Sequence, residues 1–147
     1  MSREYPAAPM VGIGILLLRG ETVLLIKRGR PPAAGEWSLP GGTQELGETA
    51  EAAARRELLE ETGLTAGALT LVAHVDSIHQ DEAGRVQYHY TILDFCADYI
   101  GGEARAGGDA TDVAWVHTND FDTYNLWAEA RRVIGLALAT KFSQPPP

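Results

Sequence analysis

A chain of 147 residues, 45% hydrophobic and 22% charged, has the size and balance of one globular domain that buries a core without covalent staples. Its formal net charge of −8 repels the phosphate backbone of DNA or RNA and argues against a nucleic-acid polymer as partner, while a small phosphorylated ligand escorted by a divalent cation remains open. The single cysteine, Cys96, cannot close an internal disulfide, which fits a reducing cytoplasm.

The chain starts with "MSREYPAAPM", which has no apolar segment followed by a cleavage site, and its longest apolar run, "VGIGILLL" (11–18), is too short to span a bilayer. No membrane association is therefore expected. Residues 1–9 and 143–147 read as flexible tails of a single domain covering 1–147, because both are rich in proline. "VGIGILLL" and "TVLLIKR" are β-type runs flanking a turn at Gly20 and predict a hairpin. A loop rich in glycine and proline, "GRPPAAGEWSLPGG", follows. The next segment, "AEAAARRELLEET", is made of strong helix formers, with Thr49 placed as N-cap and Gly63 just past the end. Strand-like runs come at 69–75, 86–97 and 113–116, the first two joined by the turn "DEAG". A second helix is expected within "LWAEARRVIGLALATKF". This order suits an α/β fold, a mixed sheet with a helix against each side.

Glu57, Glu60 and Glu61 stand at i, i+3 and i+4 of the first helix and so share one face. Like charges in that pattern destabilise an isolated helix by about 0.2–0.5 kcal/mol per pair. A solvated acidic face would tolerate this. A divalent cation would remove it: Mg²⁺ takes oxygen ligands and keeps several waters alongside substrate phosphates. Arg55 and Arg56 are near in sequence, but neither is expected at the centre of the three-carboxylate face.

The surrounding residues favour the cation. Gly42, five residues, Glu48, seven residues, then Arg56-Glu57-Leu58-Leu59-Glu60-Glu61-Thr62-Gly63-Leu64 match every fixed position of a 23-residue pattern, G-x5-E-x7-R-E-U-x-E-E-x-G-U with U apolar. The chain resembles the Nudix hydrolase family, of which this pattern is the signature. The resemblance implies a Nudix-type α/β/α sandwich and hydrolysis of a pyrophosphate bond in a nucleoside diphosphate linked to another moiety, dependent on Mg²⁺ or Mn²⁺. It implies metal ligation by Glu57, Glu60 and Glu61 with the carbonyl of Gly41 or Gly42. It also implies a supporting ion pair between Glu48 and Arg56. The general base varies among relatives. A box glutamate or an acid of "GGEARAGGDATDVAWV" would serve, the latter offering Glu103, Asp109 and Asp112. Asp109 is favoured by its offset from Trp115, and Gly107 and Gly108 before it suggest a loop that closes over substrate.

Outside the box, Arg28 and Arg30 are candidate diphosphate contacts, since a guanidinium fork suits phosphate oxygens. Trp37 either walls the site or packs the loop. Tyr88 and Tyr90 share a strand face, and an aromatic there either stacks on a base or packs in the core. No histidine has metal-like spacing. The sequence also resembles ADP-ribose-cleaving members, and ADP-ribose is the favoured substrate. A (d)NTP pyrophosphohydrolase acting on oxidised or non-canonical nucleotides and a non-catalytic nucleotide-sensing domain are the alternatives. Many relatives form homodimers, and "VGIGILLL" is one segment that could lend an edge strand to a second copy.

Overall fold

In the computed structural model, which describes residues 3–31 and 33–143, β1 (Met10–Arg19) and β2 (Thr22–Arg28) form the expected hairpin. Gly20 at the turn has φ +60°, the left-handed region that glycine enters without steric cost. The two strands stay paired only at Leu18–Val23 and Arg19–Thr22. Beyond that they part, and two short strands hidden in the glycine- and proline-rich loop fill the wedge. β3 (Trp37–Ser38) pairs with Ile26 and Lys27 of β2, and β4 (Gly41–Thr43) pairs with Gly12, Ile13 and Gly14 of β1.

Along its other edge β1 carries β6 (Val86–Asp98) in parallel register, and β5 (Thr70–Gln80) pairs antiparallel with β6. β7 (Ala110–His117) pairs antiparallel with β2. β1 is thus an interior strand, which corrects the idea that "VGIGILLL" offers an edge to a second copy; the long outer strands are β5 and β7. β5 runs past its expected end at Val75 to Gln80, because polar residues such as Ser77 and His79 interrupt the apolar alternation while the pairing with β6 continues.

Helix α1 (Ala50–Thr62) starts where Thr49 accepts a hydrogen bond from the Ala52 N–H and stops at Gly63, φ +74°, whose N–H returns to the Leu59 carbonyl. It buries Ala53, Ala54 and Leu58 against Ile13, Ile15 and Leu17, the odd-numbered face of β1. Helix α2 (Ala128–Ser143) buries Val133, Ile134 and Ala137 against the opposite face, on Leu16, Leu18 and Leu25. Each fully buried aliphatic side chain contributes about 1.5–3 kcal/mol of hydrophobic stabilisation. The result is the expected α/β/α sandwich. On the α2 side, β1 changes from Leu16 and Leu18, which fill the core, to Gly12 and Gly14, which leave the sheet floor bare.

Glu4 and Tyr5, placed in the expected amino-terminal tail, are tied to the β5–β6 hairpin. The Tyr5 N–H donates to the Gln87 carbonyl at 2.7 Å and its hydroxyl to Asp81 at 2.8 Å. Residues 1, 2 and 144–147 of the expected tails lie outside the described residues. No described helix is long and apolar enough to cross a membrane.

Candidate active site

Glu57 and Glu61, one turn apart on α1, both face the β4 segment. Glu61 is 3% exposed, and its Oε1 accepts the Gly41 N–H at 2.6 Å. Burial pushes the Glu61 carboxyl up to about 7; the Gly41 N–H works against that shift, and the nearby Glu57 charge adds to it. Glu57 is also raised, mainly by burial, with the Arg56 guanidinium at 2.9 Å opposing. Glu60 differs: its side chain is 53% exposed and sits on the rim, 3.3 Å from Arg56. Of the three expected ligands, two meet in the cleft and the third leans to solvent.

The paired glycines serve two different needs. A Cβ on Gly41 would run into the Ile13 carbonyl, so the β1–β4 pairing requires glycine there. A Cβ on Gly42 would overlap the Glu57 carboxylate, so this glycine lets the acid lie against backbone.

Arg56 grips Glu48 with two hydrogen bonds, Nε to Oε2 at 2.6 Å and Nη2 to Oε1 at 2.8 Å, and also reaches the Thr43 carbonyl at 3.1 Å. Its guanidinium and the Glu45 N–H hold the Glu48 carboxyl down at about 2. The Glu48–Arg56 pair is where the sequence placed it. The expectation that Arg56 stays clear of the acidic face is corrected: its long side chain folds back over its own helix to Glu57 and Glu60, binding the loop to the carboxylates.

Among the described residues no three acidic, histidine or cysteine side chains converge into a ready-made metal cage. The donor chemistry nevertheless fits a hard cation. Glu61 is a buried and Glu57 a partly buried oxygen donor, the two repel each other, and among the described residues the Glu61 carboxylate takes its one hydrogen bond from a neutral N–H. A magnesium ion that keeps most of its waters needs no more than a few such oxygens.

From these carboxylates a cleft of about 270 Å³ extends over the α2-side face of the sheet. Arg28 lines it at a β-bulge: Lys27 stands opposite Asp112 and Arg28 opposite Ala110, so Thr111 is the extra residue that re-aims the strand end. Of Glu103, Asp109 and Asp112, it is Asp109 that lines the cleft; it pairs with Arg30 at 2.9 Å, both side chains being well exposed. Asp112 instead accepts from the Val113 N–H at 2.8 Å, and Glu103 faces Arg105 at 3.8 Å in solvent. The loop before β7 is seated on the end of α1, with the Arg105 N–H bonded to the Thr62 carbonyl at 2.9 Å and the Gly107 N–H to that of Glu61 at 3.1 Å. Gly107 is therefore a close-approach position, since a Cβ there would come within 2.7 Å of the Glu60 carbonyl oxygen. Trp37 has both roles considered for it: it meets Tyr124 edge-on at 5.0 Å and also walls the cleft.

Asp94 belongs to no motif of the sequence. It lines the same cleft and is 5% exposed, and burial raises its carboxyl to about 6. The signal was present: an acid in the apolar strand "TILDFCA", in phase with Ile92 and Cys96. A second hollow, about 310 Å³, lies beside Arg19 and Glu103; it holds no box residue, and Arg19 stacks on Trp115 there at 4.1 Å.

Comparison with known proteins agrees with this geometry. Residues 8–136 match the NUDIX domain model. The chain is 38% identical over 112 residues to an ADP-ribose pyrophosphatase of Methanocaldococcus jannaschii, covering 76% of this chain and 64% of that protein. It is 34% identical over 115 residues to an oxidized purine nucleoside triphosphate hydrolase of Danio rerio, covering 78% and 70% respectively. A MutT NUDIX hydrolase from Burkholderia pseudomallei superposes with a TM-score of 0.75 at 33% identity, covering 88% of this chain and 98% of that one. With the box complete and the domain matched over nearly its whole length, the chain belongs to the Nudix family. It spans 64% of the length of the M. jannaschii relative.

Proposed function

We propose that this protein hydrolyses a pyrophosphate bond of a small nucleotide in a divalent-metal-dependent reaction, with ADP-ribose as the first substrate to test. The observation that carries this reading is the pair of carboxylates, buried Glu61 and partly buried Glu57, set against backbone at Gly41 and Gly42 at one end of a cleft with aromatic walls. The M. jannaschii relative supports the ADP-ribose choice.

Glu57 and Glu61, with Glu60 on the rim and a carbonyl of Gly41 or Gly42, would hold Mg²⁺ or Mn²⁺. Such an ion neutralises a pyrophosphate and lowers the pKa of a bound water. The protein's own part is positioning. Arg56 ties Glu48, Thr43 and Glu57 together, so the loop cannot drift from the helix. Arg28 brings a cation to the cleft wall for phosphate oxygens, and Arg30 extends it at the rim. Asp109 stands at the cleft with a carboxylate able to take a proton from the attacking water. Trp37 shields the nucleoside end from solvent.

The second reading, a nucleoside triphosphate with an altered base as substrate, draws on the D. rerio relative and on Asp94 in the cleft. A product-release screen decides between them: ADP-ribose, NADH, diadenosine polyphosphates, sugar nucleotides and (d)NTPs, each with Mg²⁺ and with EDTA. Release of AMP from ADP-ribose with Mg²⁺ and none with EDTA would support the first reading, and metal-dependent release from a (d)NTP in preference to ADP-ribose the second. Turnover in EDTA would remove the metal from the mechanism. Tight nucleotide binding without turnover would make the domain a sensor.

A further inference from the structure

Among the described residues Asp94 is a buried acid with no hydrogen-bond partner. It sits on β6 directly opposite Gly14 of β1, on the α2-side face, and is 5% exposed. No described residue forms a hydrogen bond or ion pair with its carboxyl, and its oxygens open onto the cleft. The nearest cation in electrostatic reach is Arg132 of α2, which is itself held by Glu129 at 2.8 Å. A carboxylate so placed costs free energy in the empty protein, since burial disfavours the charge and no described protein donor replaces the water it loses.

The floor around it is cut to fit. A Cβ on Gly14 would overlap the Asp94 carboxylate, so glycine is what allows the acid to lie across β1. Gly12, next on the same face, would bring a Cβ to 3.1 Å from Ile92. Trp37, Tyr90 and Trp127 line the cleft near this floor. The register fixes the distance to the phosphate end: Gly41 and Asp94 flank Gly14 on opposite edges of β1. Two strand spacings separate them, about 10 Å. That is the reach from a nucleotide's phosphates to the far edge of its base.

We propose that Asp94 is the base-reading residue of the cleft and selects a purine that presents two adjacent N–H donors, as guanine does with its ring N–H and 2-amino group. The two carboxylate oxygens accept this pair side by side. Adenine presents one donor beside a lone pair, which a carboxylate repels, and hypoxanthine lacks the 2-amino group. The raised carboxyl, near 6, is still ionised in neutral solution, as this pairing requires. The inference rests on the proposed reading that nucleotide phosphates occupy the Glu57–Glu61 end, and it follows the nucleoside triphosphate reading, since a guanine-selective floor makes adenine-bearing ADP-ribose a poor substrate.

The test compares GTP, ITP and ATP, which share their phosphates and differ at the base edge. Relative kcat/KM is measured with Mg²⁺, and relative Kd without metal by quenching of tryptophan fluorescence. Wild type should favour GTP over ITP by about tenfold to hundredfold, the discrimination of one good bidentate pair. Asp94→Asn keeps the shape but offers one donor and one acceptor. It should bring the GTP to ITP ratio close to one and raise ATP, since an asparagine amide pairs with adenine. A loss shared equally by all three nucleotides in Asp94→Asn would assign Asp94 a structural role and overturn the proposal. So would a wild type that does not distinguish GTP from ITP, a result that needs no variant to fold. Failure of the hydrolase reading looks different: no turnover of any nucleotide, with the binding ratios still decisive for Asp94. Absence of binding by all three nucleotides overturns the base-reading role of Asp94 and leaves the hydrolase reading to the product-release screen.

Discussion

At the α1 end of the cleft both carboxylates have a protein partner: Glu61 takes the Gly41 N–H and Glu57 the Arg56 guanidinium. On the sheet floor, Asp94 has none and lies over glycine. The first arrangement is a prebuilt charge site whose parts are fixed before anything binds, which suits chemistry that depends on position. The second leaves an acceptor pair open, which suits recognition, because an unmatched ligand leaves that acid buried without a partner. Variants at the α1 end should therefore change kcat with every substrate alike. Variants at the floor should change the ranking of substrates.

The largest effect should come from the α1 acids. Glu61→Gln preserves the shape and the acceptor for the Gly41 N–H but removes the charge a cation needs. Metal-ion stabilisation of a transition state is worth several kcal/mol, so kcat should fall by about 10³–10⁴-fold or more. Near-full activity of this variant at saturating Mg²⁺ would take Glu61 out of the ligand set. Next comes Asp109. As general base it should lose about 10²–10⁴-fold in kcat on change to Asn, with KM little altered. Arg30→Ala breaks the same 2.9 Å ion pair yet leaves the acid; as a rim phosphate contact it should raise KM while kcat stays near wild type, which separates it from loss of the base. If both variants stay within about threefold of wild type, the base lies in the box and not at Asp109.

A smaller loss is expected at Arg56, which holds ligands in place without touching substrate. Arg56→Ala should reduce activity by about 10–100-fold, the usual cost of losing a group that orients metal ligands. Raised Mg²⁺ should recover part of the rate. Arg56→Lys should recover little, because a single ammonium cannot form the two-pronged contact with Glu48 and still reach Thr43.

The same contrast explains what could be read from the sequence. The α1 end is local: Gly41 to Leu64 form one strand, one loop and one helix, so helix periodicity and cap residues place Glu48, Arg56, Glu57 and Glu61 before any tertiary contact is known. The exposed Glu60 was not separable from its neighbours, since helical spacing gives the face but not its depth. The floor is assembled from β1 and β6, about eighty residues apart, and Asp94 gains meaning only when the parallel register sets it on Gly14. β3 and β4 escaped because each is so short that the surrounding glycines and prolines dominate the pattern. Gly107 was read as a hinge for the same reason: sequence shows that glycine is present, while the neighbouring Glu60 carbonyl shows why.

The smallest expected effect is on stability, and it separates the two ends without any substrate. In metal-free protein the Glu61 carboxyl is raised from its ordinary value of 4.5 to about 7. The folded state therefore holds its proton more tightly than the unfolded chain does. The stabilisation from that proton is complete below about pH 4.5 and is lost as pH rises through about 7. The shift corresponds to roughly 3 kcal/mol at most. Glu61→Gln cannot ionise, so in EDTA it should be more stable than wild type at pH 8, by about 2–3 kcal/mol in denaturant melts. The gap should close toward pH 4.5, where both side chains are neutral. Adding Mg²⁺ at pH 8 should stabilise wild type and leave Glu61→Gln nearly unchanged, because a ligand stabilises only the form that binds it. If the gap in EDTA is the same at both pH values, Glu61 is not a buried ionised acid, and the cation must be held by Glu57 and Glu60 instead.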